Sequence, residues 1–529
     1  MKILVCDPVS AKGIALLQQQ PKLKVTVLPR KHSEEELLPL VRDMSALVIR
    51  SETQVTRRVI EVCKNLRVVG RAGVGVDNVD VEAATQNGVV VMNTPGGNTI
   101  STAELTFSML MSLARKIPQA NQSIKNGEWN RKAFQGTELN GKTLGIIGLG
   151  RIGTEVAKRA QAFGMTVLAH DPYLSPSRAK SSQVEIVDLN HLYAQSDFIT
   201  VHMPLTDETR GMINSKAFEL MKKGVRILNC ARGGIVNESD LHEAIQSGQV
   251  GGAALDVYEK EPPPAEFPLR ALPQVIMTPH LGASTKEAQD NVGIEVAEAI
   301  IDFLLHGTVR NAVNIPNMDV KTFELVRPYL GLGEKLGRLV SQLGPKRNER
   351  LVITYGGKAA EMPTDPITRA VAKAFLESVG GSEVNHVNAF VLARSLGLQI
   401  ESVKSSEETD YNEWLHVAAF SNGERVSAGG TFFGRHHEPR IVRLFNQTVE
   451  IVPKGVLLLF TNKDRPGIVG YIGTLLSKHG VNIANMSLNR DAAGGQALTV
   501  LNLDSQPPAE LIAEIQKDPD IAKVRVVRL

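Results

Sequence analysis

The chain has 529 residues, 43% hydrophobic and 22% charged, with a formal net charge of +3. That length implies roughly three or four globular domains, and so small a net charge carries no polyanion signal, so no nucleic-acid partner is expected. Cys6, Cys63 and Cys230 are too few and too scattered for a disulfide framework or a zinc site, so no metal is expected either; no apolar run reaches the ~18 residues of a membrane span, and the apolar run in MKILVCDPVS is too short for a signal peptide, which makes a cytoplasmic chain the expectation.

Residues 1 to about 98 alternate short apolar strands with helices, the pattern of a parallel α/β unit. Strands are predicted at Ile3–Cys6, Val25–Leu28, Leu47–Ile49, Val68–Val69 and Val89–Val91. Arg50 and Arg71 stand at the carboxyl ends of two of them, where open α/β sheets bind ligands. Their guanidinium groups suit a carboxylate or phosphate, although a solvated strand-end arginine explains each equally well. The segment GRAGVGVDNVD begins like a dinucleotide turn, with Gly73 and Gly75. Asn78 stands where the third glycine belongs and no long apolar helix follows, so no cofactor site is expected there. Next, Ser101-x-x-Glu104 has the capping-box pattern, and Leu105, Met109, Leu110 and Leu113 mark a long buried helix. Asn98, in the loop before it, can face a cleft. Trp129, Arg131 and Lys132 lie in a polar connector.

The stretch Thr143 to Pro172 reads as strand, glycine turn, helix and strand. Leu144, Ile146 and Ile147 fit a buried parallel strand. Gly148, Gly150 and Gly153 follow as G-x-G-x-x-G: one for the sharp turn, one for close approach of a pyrophosphate, one for helix packing. Asp171, 18 residues beyond Gly153, can bond the ribose hydroxyls and would repel a 2′-phosphate, which reads as NAD rather than NADP. Four further strands then end in polar residues. Phe198–Val201 runs into Met203 and Pro204, and Val225–Leu228 into Asn229, Cys230, Ala231 and Arg232. Ala253–Leu255 ends at Asp256, and Val275–Met277 leads to His280. A crevice over a nicotinamide is expected there. Ser284-x-x-Glu287 is a second capping box, and the helix after it, through Val292, Val296, Ile300 and Leu304, is long enough to return the chain to the first unit.

From about 317 the pattern changes: a helix over Phe323–Leu343, the strand VITYGG, a helix near Ile367–Leu376, and strands to Ile451. His436-His437 is read as two structural or solvated histidines on opposite faces of a strand. Residues 453–529 follow a βαββαβ order, a ferredoxin-like layout.

Oxidising a hydroxy acid with NAD needs a group to hold the carboxylate, a base for the hydroxyl proton, and a partner that tunes the base. Arg232, His280 and Glu261 supply these three around one expected crevice. GLGRIG, NCARGGIV, ALDVYEKEP and TPHLGAST resemble, in order, the motifs of the D-2-hydroxyacid dehydrogenase family. GRAGVGVDNVD and the last unit narrow the resemblance to its long, four-domain branch, which acts on 3-phosphoglycerate. The resemblance implies an α/β chain. It has two doubly wound, Rossmann-like parallel-sheet domains, a substrate domain (1–98 with 286–316) and an NAD domain (99–285). An α+β intervening domain (317–452) and a ferredoxin-like ACT domain (453–529) follow. It implies Arg232, Glu261 and His280 as catalytic residues. Arg50, Arg71, Asn98 and Arg232 fall on the substrate, the first two near its phosphate. Gly148, Gly150, Arg151, Ile152, Gly153, Asp171, Met203, Pro204, Cys230, Ala231, Arg232, Asp256, His280, Leu281, Gly282 and Ala283 fall on NAD. Asp464 and Asn482, with Asn462 in place of a tyrosine found elsewhere, fall where related ACT units take L-serine. A homodimer or homotetramer is implied. The rival readings are a dehydrogenase for another 2-hydroxy acid and a non-catalytic NAD-sensing protein.

Overall fold

The structure, a computed structural model, describes residues 1–174, 184–345, 347–380 and 384–529. Among the described residues, 22 strands form four sheets. The first sheet is parallel, built from β1 (Lys2–Val5), β2 (Lys24–Val27), β3 (Ala46–Ile49), β4 (Val68–Arg71) and β5 (Val90–Met92) in the order β2-β1-β3-β4-β5. Its order reverses between β1 and β3, which makes the carboxyl ends of those two strands the expected ligand crevice.

The second sheet is also parallel: β6 (Thr143–Ile147), β7 (Thr166–His170), β8 (Glu185–Ile186), β9 (Phe198–Val201), β10 (Val225–Asn229), β11 (Val250–Leu255) and β12 (Val275–Met277). Their order is β12-β11-β10-β9-β6-β7-β8, so the crevice lies between β6 and β9. The near-continuous Val/Ile/Leu runs of both sheets follow from burial on both faces.

Two long helices join the sheets. Helix Thr99–Arg115 packs Phe107, Met109, Leu110 and Leu113 into the core of the second sheet with Leu144, Ile146 and Leu228. It starts two residues before the capping-box serine. Ser101 does not cap it, because its hydroxyl donates to the carbonyl oxygens of Asn98 and Gly282. Helix Lys286–Ile301 brings Val292, Val296 and Ile300 back onto Ile3, Val48 and Val68 of the first sheet. Its cap is Thr285, which accepts from the Ala288 N–H, and not Ser284. The helix passes into a wider turn and ends at Gly307, whose φ of 73° suits a helix C-terminus.

The third sheet holds β13 (Arg350–Gly357), β14 (Gln399–Ser405), β15 (Glu413–Ser421), β16 (Glu424–Phe433), β17 (Glu438–Leu444) and β18 (Gln447–Ile451), in the order β14-β13-β15-β16-β17-β18. Helices Val320–Leu343 and Thr364–Gly380 cover one face. His436 and His437 sit in the turn between β16 and β17, with His437 at φ 50°, rather than on a strand. The fourth sheet is antiparallel, with β19 (Val456–Lys463), β20 (Ile483–Arg490), β21 (Gln496–Leu503) and β22 (Ile521–Arg528) in the order β20-β21-β19-β22. Leu458, Phe460 and Leu501 face its own two helices. Leu457, Leu459, Leu498, Val500 and Val527 join the core built by helix Val320–Leu343. The all-apolar run VLLLF follows from burial on both faces. No helix among the described residues is long and apolar enough to cross a membrane.

Candidate functional site

The glycine turn after β6 is shaped by close approaches. Gly148 has φ +96°, and a Cβ there would stand 2.6 Å from the His202 carbonyl oxygen at the end of β9. A Cβ on Gly153 would run into the Gly148 carbonyl, so this glycine lets helix Arg151–Ala162 sit against the turn. Nothing lies within 4 Å of a Cβ on Gly150. That residue starts the helix with no side-chain cap, so the first N–H groups are left for an anion. Asp171, one residue past β7, accepts from the Leu149 N–H at 2.9 Å and the Tyr173 N–H at 3.0 Å. It therefore fixes the glycine turn from the side on which a ribose would lie. Ile152 packs into the sheet core, and Arg151 lies beside Gly96 and Glu295 across the crevice. Open space at Gly150, uncapped N–H groups and a strand-end carboxylate fit a dinucleotide.

The catalytic candidates are brought together by two packed turns. His280 Nδ1 lies 2.6 Å from Glu261 Oε2, and Glu261 Oε1 accepts from the Tyr258 N–H at 3.1 Å. Burial works against the Glu261 charge, but the His280 hydrogen bond and charge outweigh it, with smaller help from Tyr258 and Arg232. Its carboxyl is held below its ordinary value. The Arg232 turn reaches this pair because Gly233 lacks a side chain: a Cβ there would run into the Tyr258 carbonyl. Asn229 ties the turn off, donating to the Arg232 carbonyl and accepting from the Ala231 N–H.

Asp256 is fully buried and takes the Thr278 hydroxyl (2.6 Å) and the N–H groups of Leu281 (2.7 Å) and Gly282 (3.0 Å). Those bonds fix the turn that carries His280, a role the motif alone did not reveal. Ser101 and Thr102 hold the Gly282 carbonyl from the long helix, next to Ala283. Cys230 is buried against Met109, and burial pushes its thiol up to about 12, which keeps it neutral. Met203 packs with the second-sheet core, beside Pro204 at the end of β9.

On the opposite wall, Arg50 and Arg71 close β3 and β4. Asp7, at the end of β1, accepts from the Arg50 N–H and from the Thr53 N–H and hydroxyl. The Arg50 Nε is buried without a partner, as are Asn98 Oδ1 and Thr94 Oγ1, among the described residues. Such orphaned groups are costly unless a ligand satisfies them. Burial, then the charges of Arg232 and Arg50, pull Arg71 down to about 10 against the opposing pull of Asp77. Three guanidiniums thus share one end of the crevice, with Arg232 held 3.3 Å from exposed Asp77 through its Nε. Asn78, Asp77 and Thr94 were not among the sequence candidates. The departure from the dinucleotide pattern at Asn78 was the one available signal.

In the last unit, Asp464 is engaged by the Gly494 N–H (3.0 Å) and by Arg490 (2.8 Å), which hold its carboxyl down. Asn482 donates to Asp504 at 2.7 Å. Asn462 is fully buried, accepts from the Thr499 hydroxyl and donates to the Lys463 carbonyl. No group of three metal-ligating side chains occurs among the described residues.

Residues 107–282 match the model of the D-isomer specific 2-hydroxyacid dehydrogenase NAD binding domain. Residues 325–445 match the D-3-phosphoglycerate dehydrogenase intervening domain, and 456–520 the ACT domain. The D-3-phosphoglycerate dehydrogenase of Archaeoglobus fulgidus is 45% identical over 531 residues, covering 100% of both chains. That of Bacillus subtilis is 42% identical over 528 residues, covering 100% of this chain and 99% of its own. Among solved structures, an NAD-dependent formate dehydrogenase from Staphylococcus aureus in complex with NAD is 32% identical. It covers 59% of this chain and 98% of its own, with a TM-score of 0.53.

Proposed function

The chain belongs to the D-3-phosphoglycerate dehydrogenase family, and from that premise we propose how its residues divide the work. The enzyme is an NAD-dependent dehydrogenase that oxidises 3-phospho-D-glycerate to 3-phosphohydroxypyruvate, the first step of the phosphorylated route to L-serine. Arg232 holds the substrate carboxylate in bidentate fashion. Arg50 and Arg71 take the phosphate, and Asn98, whose Oδ1 is buried without a protein partner, falls on the substrate beside them. His280 takes the hydroxyl proton through Nε2, and Glu261 on its Nδ1 fixes the tautomer and stabilises the imidazolium. Gly148, Gly150, Arg151, Ile152 and Gly153 would hold the NAD pyrophosphate and Asp171 its ribose. Met203, Pro204, Cys230, Ala231, Asp256, Leu281, Gly282 and Ala283 would line the nicotinamide. When bound, NAD supplies the hydride acceptor.

The observation that carries this reading is the 2.6 Å His280–Glu261 pair beside the Arg232 turn. NADH formation from 3-phosphoglycerate, compared with D-glycerate and D-lactate, tests it. A kcat/KM far higher for the phosphorylated acid than for the other two is expected; equal values for all three would remove Arg50 and Arg71 from the phosphate.

The same reading divides the chain into a substrate domain (1–98, 286–316), an NAD domain (99–285), an intervening domain (317–452) and an ACT domain (453–529). It assigns a cytoplasmic homodimer or homotetramer, with L-serine as feedback effector at Asp464 and Asn482. Arg490 and the Gly494 N–H engage Asp464 through Oδ2 and Asn482 donates to Asp504 through Nδ2, so Oδ1 of each would face the effector's ammonium. Calorimetry with L-serine on the full-length enzyme, with sedimentation to give the assembly, tests this. No heat and full activity at millimolar serine would leave the ACT unit an assembly module.

A further inference from the structure

The loop that imitates a dinucleotide turn, Gly73 to Asn78, uses its glycines for a different purpose. A Cβ on Gly73 would run into Arg71 Nη1, and one on Gly75 into Arg232 Nη2. The loop thus makes room for two guanidiniums, one from each wall of the crevice. It also supplies an acceptor to each: Asp77 Oδ2 at 3.3 Å from Arg232 Nε, and Asn78 Oδ1 at 3.1 Å from Arg71 Nε. Asn78 is 8% exposed. Its Nδ2 donates both hydrogens to backbone carbonyls beyond β3, Arg50 at 2.7 Å and Thr53 at 2.6 Å. One amide therefore fastens the backbone that carries Arg50 to the side chain of Arg71.

We propose that Asn78 is a positioning residue for the phosphate end of the substrate: it fixes Arg50 and Arg71 relative to each other. Binding Arg71 by Nε leaves its two Nη groups, the fork that matches an oxyanion, without a protein partner among the described residues. An amide suits the position because it donates twice and accepts once with no charge of its own. Aspartate would turn an oxygen on two carbonyl oxygens, and glycine, the residue of a true dinucleotide turn, would hold nothing. The inference rests on the assignment of Arg50 and Arg71 to the phosphate.

The test is a double-mutant cycle read on two substrates. Asn78→Ala should raise KM for 3-phosphoglycerate by about 10- to 100-fold, the range lost with a hydrogen bond to a charged group. It should leave kcat, KM for NAD and kcat/KM for D-glycerate within about threefold. In an Arg71→Ala background the same change should add less, because only the hold on the Arg50 backbone is then left to lose. Equal losses on both substrates, or full additivity with Arg71→Ala, would overturn the proposal. Asn78→Ser, which keeps a hydroxyl for the carbonyls, replaces the alanine variant if that does not fold, and the same split is expected. Failure of both to fold would reduce Asn78 to a structural residue and also overturn it. If Arg71→Ala itself does not distinguish the two substrates, the phosphate assignment fails, an outcome separate from failure of Asn78 alone.

Discussion

Two turns in this enzyme begin with the same glycine spacing and do different work. After β6, Gly148 lets the chain pass close under the His202 carbonyl, and Gly150 leaves open space at a bare helix start. After β4, Gly73 and Gly75 leave no open space at all, because arginine side chains fill it. The helix that follows the first turn, Arg151–Ala162, has 12 residues; the one after the second, Val81–Gln86, has six and is capped by Asp80. A glycine pattern therefore reports only that something comes close to the backbone. What comes close is decided by the next helix: long and uncapped for a pyrophosphate, short and capped where the neighbours are cations.

The largest expected effect lies between the two turns and sets the scale for both. His280→Ala should lower kcat by ~10²- to 10⁴-fold, the range of general acid–base catalysis, with NAD affinity nearly unchanged by fluorescence titration. A comparable loss of NAD binding would mean that His280 belongs to the cofactor wall alone.

Alanine scanning of the turns themselves comes next. Gly148→Ala forces a side chain to φ +96° and against a carbonyl, a strain of about 1–3 kcal/mol. It should appear as weakened NAD binding. Gly75→Ala pushes only the ends of two side chains, Arg232 and Asp77, and should raise KM for the hydroxy acid while NAD titrates normally. If both variants lost the same ligand, the contrast between the turns would collapse.

Asp171→Ala should cost roughly 1.5–3 kcal/mol of NAD binding, a charge-assisted bond, and relax the preference for NAD over NADP. Because Asp171 also holds the Leu149 N–H, part of the loss should appear with NADP too. An unchanged NAD/NADP ratio would separate Asp171 from the ribose.

The smallest effect concerns pH. The Glu261 carboxyl lies below its ordinary value mainly because the His280 bond and charge overcome its burial. Its contribution is therefore complete above the usual carboxylate range, near 4.3, and is lost as pH falls through the lowered value. Glu261→Gln removes the anion beside the imidazolium. The rising limb of kcat/KM for alcohol oxidation should then move to lower pH, with a modest loss at the plateau. A superimposable pH profile would take Glu261 out of the pair.

Most of this architecture could be read from periodicity. Strands β6, β9, β10 and β12 fall within a residue or two of their expected spans, and His280, just past β12, meets Glu261 from the loop after β11. The two capping boxes were misread because another group competed, once a distant one and once a neighbour. Ser101 fits a capping box, yet the Gly282 carbonyl, 181 residues away, takes its hydroxyl. Ser284 yields to its neighbour Thr285. Asn462, which the resemblance puts at an effector position in place of a tyrosine, bonds to Thr499 inside the core. Asn78 was noticed only as a missing glycine, because its three bonds reach back to residues 50, 53 and 71.

The single core shared by helix Val320–Leu343 and the outer face of the fourth sheet bears on how this enzyme can be cut and recombined. Ending the chain near Pro453 would strip Leu457, Leu459, Leu498, Val500 and Val527 from the core that helix shares with the third sheet and expose the part they cover. Gln342, bonded to Arg528 through both ends of its amide, would lose its partner as well. A chimera that exchanges the regulatory unit while keeping the dehydrogenase should therefore be joined ahead of Val320. The two terminal units should then travel as one cassette, and calorimetric melting of that cassette should show one transition rather than two.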